Sequence, residues 1–175
     1  REKDANARTF LDTVLRVAEA APDHVAVLVN DRVDVFLAAR DAGARVAGVH
    51  VGQSDLPPSV VRRLIGANAV LGLSASTPEQ LAAASDSRVV DYVGIGALHA
   101  TTTKRDAPRP LGHDEFARLV AVSALPAVAI GGVTVTDLGA LSRAGAAGAA
   151  VVSAICGAAD PGWAAAELRA AWDAA

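Results

Sequence analysis

The residues best suited to chemistry in this sequence stand directly after short apolar runs. The segment TTTK at positions 101–104 is rich in hydroxyl groups, ends in a cation and follows the apolar run that closes near Gly96. Hydroxyl and ammonium groups donate hydrogen bonds to phosphate oxygens. We therefore predict that this segment binds phosphate.

Two carboxylates, Asp31 and Asp55, follow two consecutive apolar runs, with Asn30 and Gln53 beside them. Carboxylate oxygens are ligands that Mg²⁺ prefers, and this ion usually keeps waters and substrate phosphates as well. Each Asp taken alone is also typical of the first residue of a helix. From the residues alone, a shared Mg²⁺ site and two helix caps are about equally supported.

Three cations form a second candidate group, Arg1, Lys3 and Lys104. An arginine fork and two ammonium groups together could neutralise a diphosphate. Solvated surface charge is the alternative for Arg1 and Lys3. Lys104 is a stronger candidate because it closes the TTTK segment.

A third group comprises Gly131-Gly132 and residues 152–154, which follow the last two apolar runs. Glycine lets the backbone approach a ligand closely, although a Gly-Gly pair often marks only a turn. Backbone N–H groups at such positions commonly bind phosphate in barrel enzymes. We predict a phosphate cradle here.

The remaining reactive side chains carry weaker signals. His50 is expected to be a hydrogen-bonded structural residue, and no His or Cys spacing typical of a metal site is present. Cys156 is expected to be a small buried apolar residue. Three histidines are expected to face solvent or cap helices: His24, His99 and His113. Trp163 and Trp172 are expected to pack the last helix against the domain or a partner.

The apolar runs recur with a nearly constant period. They begin at residues 25, 46, 69, 91, 126 and 148, so that the steps are 21, 23, 22, 35 and 22 residues. One buried parallel strand plus one helix fills such a period. The long step adds residues 96–112, and long loops in compact domains are usually functional.

Helices are predicted between the strands from amphipathic spacing and from residues that begin helices. The predicted ranges are residues 7–20, 33–41, 58–65, 78–84, 114–122, 135–143 and 161–172. A further strand is expected to end at Arg1. Informative polar residues follow nearly every strand, which favours a (β/α)8 TIM barrel over an open doubly wound sheet.

Composition limits the class of protein. The chain has 175 residues, 52% of them hydrophobic, a net charge of −3 and a pI of about 5.8. One domain spanning residues 1–175 is expected, with small anions as ligands and with neither nucleic acid nor membrane as partner. The sequence begins without Met, a signal peptide or an apolar span, so we expect missing upstream residues and a cytoplasmic location.

The motifs together resemble the thiamine phosphate synthase family. They are Asn-Asp at 30–31, His-x-Gly-Gln-x-Asp at 50–55, Gly-Leu-Ser at 72–74, Thr-x-Thr-Lys at 101–104 and Ile-Gly-Gly at 130–132. The resemblance implies a barrel enzyme that joins a hydroxymethylpyrimidine diphosphate to a hydroxyethylthiazole phosphate and releases diphosphate. In that family diphosphate leaves first, and the thiazole nitrogen captures the resulting pyrimidine-methyl cation, so the resemblance implies the same order here.

The resemblance also implies roles for individual residues. Asp31 and Asp55 would bind Mg²⁺. The residues expected at the diphosphate are Arg1, Lys3, Asn30, Ser74 and Lys104. Those expected on the thiazole-phosphate side are Thr101, Thr103, Gly132, Val152 and Ser153.

The sequence departs from the family pattern at its beginning. The family's first βα unit and most of its second strand are absent, with a pyrimidine-contacting Gln expected just before Arg1. Two other functions remain open: a thiazole tautomerase-like isomerase and a noncatalytic phosphate-binding module. A homodimer also remains open.

Overall fold

The computed structural model describes residues 5–101 and 109–175. The chain divides into two compact units whose bounds differ from these ranges. The first unit comprises Arg1–Leu73 and Ser87–Asp91, and the second comprises Ser74–Asp86 and Tyr92–Ala175. Within each unit the strands are parallel and alternate with helices. The predicted α/β class is therefore confirmed, whereas the strand expected to end at Arg1 lies outside the described residues.

The first unit contains three parallel strands in chain order. Its elements are α1 (Ala7–Ala20), β1 (Leu28–Asn30), α2 (Val33–Asp41), β2 (Gly48–Val51), α3 (Pro58–Ile65) and β3 (Val70–Ser74), whose last residue belongs to the second unit. In the register, Asn30 is opposite His50, and His50 is opposite Gly72. The polar residues after β1 and β2 therefore leave the sheet from neighbouring strands.

The second unit repeats the same alternation with three further parallel strands. Its elements are α4 (Pro78–Asp86), β4 (Tyr92–Ile95), α5 (Gly112–Val122), β5 (Ala127–Ile130), a 3₁₀ turn (Val135–Asp137), α6 (Leu138–Arg143), β6 (Gly148–Ala150), α7 (Ser153–Cys156) and α8 (Pro161–Asp173). The pairing places Ile95 opposite Ala129 and Ile130 opposite Ala150. The polar residues after β5 thus leave from the middle strand of this unit.

Most predicted elements are confirmed, because the apolar spacing and the residues that begin helices indicate the same ranges. The bounds of α1, α2 and α3 match the prediction. Asp160 caps α8 through a 2.9 Å bond from the N–H of Trp163, and Thr134 and Asp137 form a capping box. The helix predicted from residue 135 begins as a 3₁₀ turn, and the four-residue α7 was not predicted.

The strand cores follow the apolar runs, with one exception. Val49, Val51, Leu71, Val93 and Ile95 are each fully buried, as expected for strands covered on both faces. The last run is different: β6 ends at Ala150, and the side chain of Val152 beyond it is 53% exposed. No residue of β6 is buried, so the prediction of a buried strand for the run that begins at Gly148 is wrong.

A polar network closes the first unit around Arg62. Its guanidinium donates to the carboxylate of Asp91 over 2.6 Å and to the carbonyl of Val89 over 2.8 Å, and it also donates to the carbonyl of Ala69. Asp91 accepts a further bond of 2.7 Å from the N–H of Leu71. Arg62 thus joins α3 to the beginning of β3 and to the segment before β4.

Two further predictions concern single side chains. Cys156 was expected to be buried but is exposed, because it lies on α7, where no residue is buried. Trp163 is 65% exposed, so it does not pack against the domain, whereas Trp172 is half-buried. Within the described parts of the chain, no helix is long and apolar enough to cross a membrane.

Candidate active site

Asp31 stands at the end of β1 in an unusual backbone conformation. Its φ is 61°, in the left-handed region, which Asp tolerates better than most residues but still at some cost. Its N–H donates to the carbonyl of His50 over 2.8 Å, extending the β1–β2 pairing by one residue. This bond places Asp31 beside the end of β2, and such strained positions are commonly found at functional sites.

Asp55 lies in the turn that follows β2. Its Oδ2 accepts the N–H of Gly52 over 2.6 Å, and its own N–H donates to the carbonyl of Gly52. A Cβ on Gly52 would approach the same carboxylate oxygen to 3.1 Å. The turn therefore orients the half-buried carboxylate of Asp55.

The helix-cap interpretation of these two carboxylates is wrong. The N-cap of α2 is Arg32 and the N-cap of α3 is Pro57. Asp31 and Asp55 therefore precede the first helical turns without occupying the capping position. They remain candidates for ligands of a hard cation.

The other predicted diphosphate residues have different positions. Asn30 ends β1 in the first unit, and Ser74 ends β3 and belongs to the second. Both are half-buried. Arg1, Lys3 and Lys104 lie outside the described residues.

In the second unit, the residues after β4 run beside the turn after β5. The N–H of Leu98 donates to the carbonyl of Ile130 over 2.9 Å, and the N–H of His99 donates to the carbonyl of Gly131 over 3.1 Å. Thr101 lies two residues further on. Thr103 is outside the described residues.

The glycine pair after β5 is required by close packing as well as by conformation. Gly131 and Gly132 have φ of 82° and 71°, which favours glycine. A Cβ on Gly132 would lie 2.9 Å from the Cβ of His99 and 3.1 Å from the carbonyl oxygen of Ala100. The structure thus brings Gly132 next to the backbone that leads to Thr101.

Val152 and Ser153 lie at the beginning of α7. Val152 is the N-cap residue, and its carbonyl accepts the N–H groups of Ile155 and Cys156. The side chain of Ser153 is exposed. The predicted backbone contact to phosphate at this position stays a prediction.

Three side chains that sequence reasoning did not combine meet in the second unit: His99, His113 and Asp137. The Nε2 of His99 lies 2.8 Å from Oδ1 of Asp137, and the Nε2 of His113 lies 2.9 Å from the same oxygen. Both histidines are partly exposed to solvent, as predicted, but each also contacts the buried carboxylate of Asp137, which the prediction did not include. Their separation in sequence matches no common metal motif. The one sequence feature that could have indicated the group is a histidine near each end of the long connection at residues 96–112.

Asp137 is held rigidly and remains ionised at neutral pH. Its other oxygen, Oδ2, accepts the N–H and the hydroxyl of Thr134, each over 2.8 Å. Burial raises the pKa of Asp137, but the hydrogen bonds from His99 and Thr134 lower it more, so that the pKa lies at about 2. A buried carboxylate this well supplied with donors is a fixed negative charge.

Comparison with known proteins identifies the relatives of this chain. A family model described as thiamine monophosphate synthase matches residues 1–155. The thiamine-phosphate synthase of Corynebacterium efficiens is 45% identical over 162 residues, covering 92% of this chain and 75% of that protein. The enzyme of the same name from Xanthobacter autotrophicus is 43% identical over 172 residues, covering 98% of this chain and 79% of that protein.

A solved structure agrees with these matches. The thiamine phosphate pyrophosphorylase of Pyrococcus furiosus is similar to this chain with a TM-score of 0.85 and 30% sequence identity. The match covers 98% of this chain and 80% of that protein. Sequence and fold therefore point to the same relatives.

Proposed function

Because the chain belongs to the thiamine monophosphate synthase family, we propose that it joins a pyrimidine diphosphate to a thiazole phosphate, forming thiamine phosphate and diphosphate. The support is identity above 40% with synthases over more than nine-tenths of the chain. The single structural observation that carries the proposal concerns Asp31 and Asp55. Neither caps α2 or α3, so both carboxylates are candidates for binding the ion that a diphosphate substrate requires. The protein is accordingly a transferase.

The first step breaks the bond between the pyrimidine methylene carbon and the diphosphate oxygen. The electron pair leaves with diphosphate, so negative charge grows on the leaving group. Side chains that donate to those oxygens lower the barrier, since fixed donors stabilise developing charge. We assign this role to Arg1, Lys3, Asn30, Ser74 and Lys104.

Asp31 and Asp55 would hold Mg²⁺ in this scheme. The donor set fits, because both offer carboxylate oxygens from turns that follow paired strands, and Mg²⁺ prefers such ligands. When bound, the ion supplies positive charge to the diphosphate. The bond from Gly52 to Oδ2 of Asp55 orients this carboxylate before any ligand arrives.

The second step forms the bond between the thiazole nitrogen and the methylene carbon. A neutral ring nitrogen uses its lone pair and has no proton to lose, so this step needs no general base. Positioning is then the main task of the protein. We assign binding of the thiazole phosphate to Thr101, Thr103, Gly132, Val152 and Ser153.

The experiment that tests the proposal measures thiamine phosphate from the two purified substrates, with and without Mg²⁺. Product that depends on Mg²⁺ is the expected result. The experiment should use both this chain and a version extended upstream of Arg1. Absence of product from both forms would contradict the proposal.

The two alternatives predict different results in the same assay. A thiazole tautomerase-like isomerase would convert a thiazole carboxylate phosphate alone and would not consume the pyrimidine substrate. A noncatalytic module would bind phosphates in calorimetry without turnover. The acidic pair argues against the isomerase, which has no need of a diphosphate-bound ion.

The complete fold is proposed to be a (β/α)8 barrel, with the first βα unit and most of the second strand outside this chain. The unbroken strand and helix alternation and the likeness to the Pyrococcus protein support this. A cytoplasmic location is likewise proposed, as is typical of biosynthetic enzymes. Sedimentation of the extended protein would decide between monomer and homodimer.

A further inference from the structure

We propose that His99, His113 and Asp137 form a binding site for a divalent transition-metal ion, Zn²⁺ above all, which uses none of the proposed Mg²⁺ ligands. One ligand atom from each of the three side chains lies within 4.8 Å of the other two. They are the only such group of three or more His, Cys, Asp or Glu residues among the described residues. The proposal rests on this geometry and is independent of the proposed synthase activity.

The donor chemistry favours Zn²⁺ over Mg²⁺. Two imidazole nitrogens and one carboxylate oxygen suit Zn²⁺, Co²⁺ or Ni²⁺, whereas Mg²⁺ prefers oxygen ligands throughout. Three protein ligands leave a fourth tetrahedral position for water. The site therefore has the ligand number of an open zinc site.

The two distances to Asp137 require only a small adjustment, and the ligand atoms of the two imidazoles lie within 4.8 Å of each other. Ligand atoms around tetrahedral Zn²⁺ lie about 3.3 Å apart, given metal–ligand bonds near 2 Å. The separations from Oδ1 of Asp137 to the Nε2 atoms of His99 and His113 are 2.8 and 2.9 Å. Half-exposed imidazoles, with side chains 40% and 43% exposed, can move by that amount.

The proton balance is simple. A carboxylate can only accept, so the Nε2 of His99 carries the hydrogen in the bond to Asp137. On metal binding, each imidazole presents the Nε2 lone pair, and its single proton moves through solvent to Nδ1. Oδ1 of Asp137, which contacts both imidazoles without the metal, would then bind the metal instead.

The support around the ligands is what a metal site needs. Asp137 is 4% exposed and keeps its two bonds from Thr134 at the oxygen away from the histidines. Such outer hydrogen bonds orient a ligand and raise its affinity for metal. The backbone of His99 is held by its bond to the carbonyl of Gly131, while its half-exposed imidazole can adjust.

The position suggests what the ion does. His99 and His113 flank the segment that carries the Thr-x-Thr-Lys motif, and the backbone already joins its base through bonds from Leu111 to Ala97 and from Gly112 to Leu98. A metal bound by His99, His113 and Asp137 would add a crosslink at this base. An ion that binds the folded form and not the unfolded chain stabilises the folded form.

The test is calorimetric titration of untagged, metal-stripped protein with Zn²⁺ in the presence of excess Mg²⁺. We expect one Zn²⁺ per chain and a rise in the thermal midpoint. Co²⁺ should give the visible absorption of a tetrahedral site. His113→Ala and the double variant His99→Ala/His113→Ala should bind Zn²⁺ at least about tenfold more weakly.

Matched variants separate this site from other sources of binding. His24→Ala removes an exposed histidine elsewhere, Cys156→Ser removes an exposed thiol, and Asp31→Asn/Asp55→Asn removes the proposed Mg²⁺ ligands; all three should keep wild-type Zn²⁺ affinity. Circular dichroism verifies that each variant is folded. The proposal fails if wild-type protein does not bind Zn²⁺ at micromolar concentration, or if the double histidine variant binds it equally well.

Discussion

The N–H of Asp31 donates to the carbonyl of His50 over 2.8 Å, and this bond carries the β1–β2 pairing one residue past Asn30. It holds Asp31 at a φ of 61°, a conformation that is costly for a residue with a side chain. The backbone of β2 therefore determines where the first acidic turn lies. Asp55 is oriented separately, by its bond from Gly52.

The first prediction concerns this acidic pair. Asp31→Asn combined with Asp55→Asn should lower Mg²⁺-dependent formation of thiamine phosphate on the order of a hundredfold or more, because charge on the leaving diphosphate loses its stabilisation. Steady-state kinetics and circular dichroism provide the measurement. Asp41→Asn, at the exposed end of α2, is the matched control and should retain activity; full activity of the double variant would exclude the metal assignment.

The second prediction concerns Lys104. Lys104→Ala should chiefly lower kcat, since its ammonium group is assigned to charge that develops in the transition state. Arg109→Ala removes an exposed cation from the same part of the chain and should leave kcat unchanged. Equal rates for wild type and Lys104→Ala would remove this residue from the site.

The third prediction separates close packing from backbone conformation. Gly43→Ala meets open space at a φ of 80° and should cost about 1–2 kcal/mol, the conformational penalty alone. Gly132→Ala has the same conformational penalty and also places a Cβ 2.9 Å from that of His99. The loss in the free energy of unfolding should therefore reach about 3 kcal/mol or more. Urea denaturation of both variants measures the difference, and equal losses would contradict the close approach.

The fourth prediction concerns the stability of the first unit. Arg62→Ala should lower the free energy of unfolding by about 2 kcal/mol, because Asp91 and the backbone carbonyls lose their donor. The side chain of Arg62 is only 14% exposed. Arg63→Ala, one residue later and exposed, is the control and should stay within about 0.5 kcal/mol of wild type. Thermal and urea unfolding report the result, and similar losses in both variants would show that the network contributes little.

Local patterning determined much of this fold. The bounds of α1, α2 and α3 follow from amphipathic spacing, and the capping residues Thr134 and Asp160 act within three residues of their partners. Such interactions are short-range, so the sequence contains them in full. The four-residue α7 was missed because one turn is too short to produce a periodic signal, and the exposure of Cys156 was missed with it.

The sequence by itself determined the alternation of strands and helices and the family, and it singled out Asp31 and Asp55 as candidate ligands, because each depends on neighbouring residues or on motifs. Only the three-dimensional structure showed that Asp31 and Asp55 are not helix caps. The turns after β1 and β2 continue past them, so that α2 and α3 have Arg32 and Pro57 as their N-caps. The structure also showed that His99, His113 and Asp137 meet. Parallel pairing of β4 with β5 aligns the segments that follow them, and residues distant in sequence thereby converge on one carboxylate.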